Sequence, residues 1–191
     1  GIYPLSHTLD TPGPMARSVA DVALILAVMR GAEAWAIDQD MKNGQGLFAF
    51  QRASVRGLKL GIIDNSERQV CDADMLKSYD AAVDRLASLG AEIAVFSAPD
   101  RYGDLADANG AITIFEGYGY HKALYEVAKN PMDEDVRKRM LTGRGMTAES
   151  HASNLRQKTT TQTRFQAAIS DFDALLTPTV TQAAPKLSDI D

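Results

Sequence analysis

Residues 58–96 constrain the fold more than any other stretch. Leu58-Lys59-Leu60-Gly61-Ile62-Ile63 reads as a strand, and Asp64-Asn65-Ser66 breaks it. Met75, Leu76, Tyr79, Ala82, Val83, Leu86 and Leu89 then recur at helical spacing, with Asp72 or Asp74 at the start and Gly90 at the stop. Ala91-Glu92-Ile93-Ala94-Val95-Phe96 returns as a second strand, and Pro99 ends it. Strand, helix, strand at this spacing predicts a right-handed crossover between parallel strands. Ile93 to Phe96 is apolar on both faces, as expected of a strand between helix layers. The expected class is therefore α/β, a largely parallel or mixed sheet covered by helices.

The flanking segments read as mostly helical. Pro12-Gly13-Pro14 is a stiff turn, and Ser18-Val19-Ala20-Asp21 has the pattern of a helix N-cap with an acid in the first turn. Val22 to Met29 is apolar nearly all round, which predicts burial on several sides; Arg30 and Gly31 mark the end. Residues 32–56 look irregular, pinned by Trp35, Phe48 and Phe50. Leu105 to Val127 forms a long helical stretch whose continuity Gly110, Gly117 and Gly119 put in question. Asp133 to Leu141 predicts a short charged helix, and a helix from Thr147 runs to about Ser170. Ala174-Leu175-Leu176-Thr177-Pro178 closes the series as a short strand, followed by loop.

At 191 residues with 45% hydrophobic residues, the chain can build a sizeable core in one domain or slightly more. Its net charge of −5 offers no general attraction to nucleic acid or to an anionic membrane. No apolar run approaches the ~18 residues of a membrane span. The single cysteine, Cys71, excludes an internal disulfide and a cysteine-based metal site, so a reducing, cytoplasmic setting is expected. The first residues, without an initiator methionine, read as the middle of a longer protein.

Self-contained catalytic motifs are missing: no G-x-S-x-G elbow, no P-loop, no G-x-G-x-x-G after a strand, no H-E-x-x-H. His7, His121 and His151 have no ligand-like spacing, so neither a metal nor a cofactor is expected. Ser6, His7 and Asp10 are hydrolase-triad residue types, yet they crowd one turn where a triad needs side chains converging from separate elements. Cys71 reads as an inert thiol. Arg137, Lys138, Arg139 and Arg144 read first as a solvated helix face, with anion recognition second. Glu116-Gly117-Tyr118-Gly119-Tyr120-His121 combines rings, glycines and a carboxylate, which suits either a pocket wall or a core aromatic cluster.

The run from Gly1 to Asp21, Gly-Ile-Tyr-Pro-Leu-Ser-His-Thr-Leu-Asp-Thr-Pro-Gly-Pro-Met-Ala-Arg-Ser-Val-Ala-Asp, closely resembles a segment of the amidase signature family. Arg56-Gly57-Leu58-Lys59-Leu60-Gly61 is similar to the strand before that family's crossover helix. Glu116 to His121 resembles its E-(G/A)-Y-x-x-H helix, and Asp173-Ala174-Leu175-Leu176-Thr177-Pro178-Thr179 its D-(A/V)-L-(L/V)-(T/S)-P-T strand. The order is the family's, and the likeness spans essentially the whole chain.

The resemblance implies an amidase-signature-like fold that is incomplete here: residues 1–191 as a single partial domain, with the catalytic N-terminal part and the C-terminal strands outside it. It also implies hydrolysis of a small-molecule carboxamide by a serine, a bridging serine in a cis peptide and a lysine. None of these three can be placed in this chain, so no catalytic residue is assigned and the chain alone is expected to be inactive. A hydroxyl needs a neighbour to take its proton before it attacks. Asp10 is the leading candidate for active-site support, with Thr8 beside it and Arg17 as a partner for Asp10 or another acid. Tyr118 and His121 are candidates to line the substrate pocket, and Arg139 to face a substrate carboxylate. Two alternatives stay open: the glutaminase subunit of a transfer-RNA amidotransferase, and a noncatalytic α/β binding or interaction module. Self-association through truncated sheet edges is expected.

Overall fold

The computed structural model describes residues 2–52 and 54–189. They divide into two compact units, one formed by Thr11–Val55 and one by Tyr3–Asp10 together with the chain from Arg56 onward.

In the smaller unit, Ser18 caps α1 (Val19–Met29) by accepting the Asp21 amide hydrogen on its Oγ at 3.1 Å. Gly31 follows at φ +76°, a left-handed turn that glycine adopts without strain. The stretch expected to be irregular instead holds α2 (Ala34–Asn43) and a 3-10 segment (Gly46–Arg52). Half of Ala-Trp-Ala-Ile-Asp-Gln-Asp-Met-Lys-Asn is apolar, but Trp35 stands off the face shared by Ile37 and Met41 and blurs the periodicity; a left-handed Gly44 ends it. Ala23, Ala27, Ile37 and Phe48 form the core of this unit. Trp35 is 71% exposed and pins nothing, and the Phe50 side chain lies outside the described residues. α1 is not buried on several sides: only Ala23 and Ala27 are covered, while Leu24, Ile25, Val28 and Met29 stay exposed.

The larger unit is built on the expected crossover. β1 (Lys59–Ile63) pairs in parallel with β2 (Glu92–Phe96), Gly61 opposite Ala94. Between them, Asp64 caps a one-turn helix, α3 (Asn65–Arg68), and Asp72 caps α4 (Ala73–Ser88) by accepting the Met75 amide hydrogen at 2.8 Å. β3 (Ala174–Leu176) pairs in parallel on the other side of β1, giving the order β2-β1-β3. α4 sets Tyr79 and Val83 against Ile63, with Ile62, Ile93 and Leu176 around them. Phe165 and Phe172 meet Phe96 edge-on at 5.6 Å each. A Cβ on Gly61 would stand 2.5 Å from Leu175, so the central strand has no side chain where its neighbours close in. Contrary to the apolar pattern of β2, this strand is an edge and Val95 is 63% exposed.

The remaining helices are α5 (Tyr102–Tyr125), α6 (Glu134–Leu141), which leads into a 3-10 turn (Thr142–Gly145), and α7 (Ala148–Ala168). α5 runs through all three doubtful glycines and departs from helical geometry only at His121, φ −121° and ψ 20°. Gly117 and Gly143 explain themselves by contact. A Cβ on Gly117 would stand 2.4 Å from Met140, and one on Gly143 2.9 Å from the Ile114 carbonyl oxygen. In α7 the threonines Thr159, Thr160 and Thr163 return their hydroxyl hydrogens to the carbonyls four residues earlier.

Arg137 corrects the reading of a solvated basic face. It is 4% exposed, and its guanidinium donates to the carbonyls of Tyr125, Val127 and Asn130 at 2.7–2.9 Å. These carbonyls lie at and beyond the end of α5, where acceptors run short of intrahelical partners, and a planar fork suits them. Lys138, Arg139 and Arg144 are exposed, in keeping with that face.

Candidate active-site support

The segment before the Pro-Gly-Pro turn is organised by two carboxylates. Asp10 accepts the amide hydrogens of Leu5 (2.9 Å) and Ser6 (3.1 Å), and the amides of Leu9 and Asp10 donate to the Ser6 carbonyl. This closes Leu5–Asp10 into a turn satisfied largely from within.

Glu116, on α5, holds that turn from outside. Its carboxylate accepts from the Ser6 hydroxyl at 2.6 Å, from the Thr8 amide at 3.0 Å and from the Thr8 hydroxyl at 2.5 Å. His151, on α7, places Nε2 3.4 Å from the same carboxylate and stacks on Phe115 with ring centroids 4.2 Å apart. Ser6 is 2% exposed, and the side chains of Glu116 and His151 are 11% and 15% exposed. Burial pushes the Glu116 carboxyl up. The hydroxyls of Ser6 and Thr8, the Thr8 amide and His151 outweigh it and hold the group below its usual range.

A second attachment lies one and a half turns further along α5. The His121 ring N–H donates to the Pro4 carbonyl, and the ring stacks on Tyr3 at 4.5 Å with 12° between planes. Leu5 lies over Gly117 between the two attachments.

The sequence candidates are thus distributed unevenly. Asp10, Thr8 and His121 come together around the Tyr3–Asp10 segment. Tyr118 turns elsewhere, donating its hydroxyl hydrogen to Glu126 at 2.6 Å beside Arg144. Arg17 and Arg139 are exposed, and neither side chain makes a hydrogen bond or ion pair among the described residues. Three residues escaped the sequence reading: Glu116 as the central acceptor, Ser6 as a buried donor and His151 as its partner. The one signal for Glu116 was its place at the head of the Gly-Tyr-Gly-Tyr-His run.

A separate cavity of about 860 Å³ opens beyond the carboxyl ends of β1 and β3. Ile63, Tyr102, Phe165, Leu175 and Val180 make most of its wall apolar, and Glu67 and Arg101 add charge. Glu67 accepts the Tyr102 amide hydrogen, and Arg101 donates to the Ser66 carbonyl, so both are fixed in place. Crevices at the carboxyl ends of parallel strands are common ligand sites. Tyr118, His121 and Arg139 do not line it, whereas the free thiol residue Cys71 does.

A family model described as Amidase matches residues 1–191. The chain belongs to the amidase family. It is 29% identical to an amidase of Pseudomonas putida over 94% of its own length and 38% of that protein. It is 33% identical to 2-amino-5-chloromuconic acid deaminase of Comamonas testosteroni over 100% of its length and 39% of that protein. A glutamyl-tRNA(Gln) amidotransferase component of Bdellovibrio bacteriovorus matches over 52% of the chain and 20% of the relative, at 34% identity. Among solved structures, one described as the crystal structure of amidase superposes with a TM-score of 0.79 at 22% identity, over 98% of this chain and 39% of the other. That likeness supports the α/β fold with its parallel sheet. The family member therefore spans under two fifths of the length of these full-coverage relatives.

Proposed function

We propose that this chain is the supporting portion of a serine amidase that hydrolyses small carboxamides to a carboxylate and ammonia or an amine. The observation that carries the reading is the family match over residues 1–191 together with an α/β core that superposes on an amidase. In the mechanism the resemblance implies, a serine outside this chain attacks the carboxamide carbon. A lysine takes the proton by way of a second serine, and backbone N–H groups hold the oxyanion. Ser6 is unsuited to the nucleophile's place, because it is buried and its hydroxyl hydrogen is given to Glu116.

Within this reading, Asp10 and Thr8 act as support by keeping the Leu5–Asp10 turn in one shape, and Arg17 is the least supported of the three. His121 faces the same segment, while Tyr118 and Arg139 are left for the substrate side. Residues 1–191 are part of one family domain, supported by the uninterrupted match. The free Cys71 is in keeping with a cytoplasmic setting, and the open edges of β2 and β3 with self-association. Among the described residues no helix is long and apolar enough to cross a membrane. The deaminase and amidotransferase relatives leave the plain amidase reading at least as well supported as that of a glutaminase within an amidotransferase.

The test is ammonia release from simple aliphatic and aryl carboxamides by the product of the whole gene, with and without a sulfonyl fluoride. Turnover abolished by the reagent is expected, and full activity in its presence would exclude the serine mechanism. This chain by itself is expected to release no ammonia. Release that survives Ser6→Ala would reveal a nucleophile elsewhere in it.

A further inference from the structure

The Glu116 carboxylate joins three parts of the larger unit: α5, which carries it, the Ser6–Asp10 turn, and α7 through His151. All three groups that the turn offers it are hydrogen donors, so each needs a lone pair on Glu116. Protonating the carboxyl puts a hydrogen where one donor points and removes the charge assistance from all three bonds. Among the described residues no other side chain is placed to take over. Asp10 spends its oxygens on the amides of Leu5 and Ser6. From α7 the facing titratable group is His151, whose Nε2 lies 3.4 Å from Glu116 and whose Nδ1 is buried without a hydrogen-bond partner. α6 and the following 3-10 turn give no charge to the site. Arg137 is committed to the carbonyls beyond α5, and Arg144 pairs with Glu126.

We propose that Glu116 is a proton-operated clasp and the positioning residue of Tyr3–Asp10: ionised, it holds the turn on α5; protonated, it lets the turn loosen. The proposal rests on the amidase reading only for its consequence. By resemblance, this turn follows the catalytic serine loop, so its release would weaken catalysis in acid. The sign is fixed by the direction of the shift. A carboxyl lowered in the folded state gives an anchorage that is complete above the ordinary carboxylate value and is lost as pH falls through the lowered one.

The test uses the 191-residue chain and NMR amide exchange, expressed as protection factors so that the intrinsic pH dependence of exchange cancels. In the wild type, protection of Thr8 and Leu9 should fall about tenfold in acid, the scale of losing charge assistance at one or two bonds. Its midpoint should coincide with the titration of the Glu116 carboxyl carbon, while Gly61 and Ile62 in β1 keep their protection. Glu116→Gln should show the loss already at neutral pH, with no further step in acid. His151→Phe keeps a ring on Phe115, removes the imidazole that helps lower the Glu116 carboxyl and should move the midpoint upward. Wild-type protection of Thr8 in Glu116→Gln at neutral pH overturns the proposal, as does a turn midpoint that departs from that of Glu116. If Glu116→Gln does not fold, the comparison of the two wild-type midpoints decides alone. Because the readout is protection rather than amide hydrolysis, an inactive whole-gene product would sink the amidase reading and leave the clasp standing.

Discussion

The sheet and the clasp belong to the same unit and are held by opposite means. In the sheet, Leu60, Ile63 and Phe96 are 4–5% exposed, and their stability comes from apolar area withdrawn from water. In the clasp, the buried residue is Ser6, and the attachment is a set of polar bonds to one carboxylate. Apolar burial is shared among many neighbours, so losing a piece of it is felt by the whole unit. A polar attachment at the margin can be exchanged for water once the segment moves, so its loss should be felt locally.

The largest expected effect lies in the sheet. Ile63→Ala removes a side chain, 4% exposed, that packs against Tyr79 and Val83 at the end of β1. It should lower unfolding free energy by about 3 kcal/mol, read from the denaturant midpoint. A loss below about 1 kcal/mol would mean that this core is loosely packed and that the contrast with the clasp is overdrawn.

Arg137→Lys asks whether polar anchoring is weak in general or only where the anchored group can reach water. Three carbonyls converge on the buried guanidinium. A lysine ammonium has no planar fork with which to hold all three at once. The expected cost is about 2 kcal/mol of global stability. A smaller effect, with increased amide exchange confined to Val127–Asn130, would place Arg137 with the clasp rather than with the core.

Tyr79→Phe divides the sheet's own stability into its polar and apolar parts. The Tyr79 hydroxyl accepts the Ile63 amide hydrogen at 3.1 Å and donates to the Leu176 carbonyl at 2.9 Å, tying β1 to β3. Burial keeps the phenol from ionising easily and raises its titration. Removing the oxygen leaves two backbone groups short of a partner at nearly constant ring volume. A cost of about 1.5 kcal/mol is expected from thermal or urea unfolding, clearly less than for Ile63→Ala.

The same contrast explains what the sequence could and could not reveal. β1, α4, β2 and β3 were legible because each advertises itself within a dozen residues, by β-rich runs, helical spacing and caps such as Asp72. α2 was not, because Ala34–Asn43 owes its helical state to Ile37 meeting Phe48 rather than to its own pattern. The openness of Val95 was hidden for the opposite reason: an apolar pattern says what a strand could bury, not whether a neighbour arrives to bury it. The glycines of α5 read as interruptions, while the contact that Gly117 permits, to Met140, lies on another helix. Arg137 looked like any charge on a charged helix. Its partners are carbonyls, which every residue has and no sequence displays. Ser6 and Thr8 lie 110 and 108 residues from Glu116, so the spacing carried no sign of the bond. Family resemblance drew attention to both stretches without joining them.

Glu116→Ala should give the smallest global effect and the largest local one. Truncation leaves the Ser6 hydroxyl and the Thr8 amide and hydroxyl without their acceptor, a penalty of several bonds if the turn stayed where it is. The turn has a cheaper route, since Asp10 still closes it from within and its donors can move into water. The global cost is therefore expected near ~1 kcal/mol, set mainly by the lost cover over Gly117 and Met140. Limited proteolysis within Tyr3–Asp10 should accelerate several-fold, on the scale of a tenfold change per ~1.4 kcal/mol of local opening. Ile63→Ala, at matched distance from its own unfolding midpoint, should show no such selective cleavage. If Glu116→Ala instead unfolded the unit as strongly as Ile63→Ala, the clasp would be part of the core. The division between a sheet that holds the unit together and a carboxylate that fastens one segment to it would then fail.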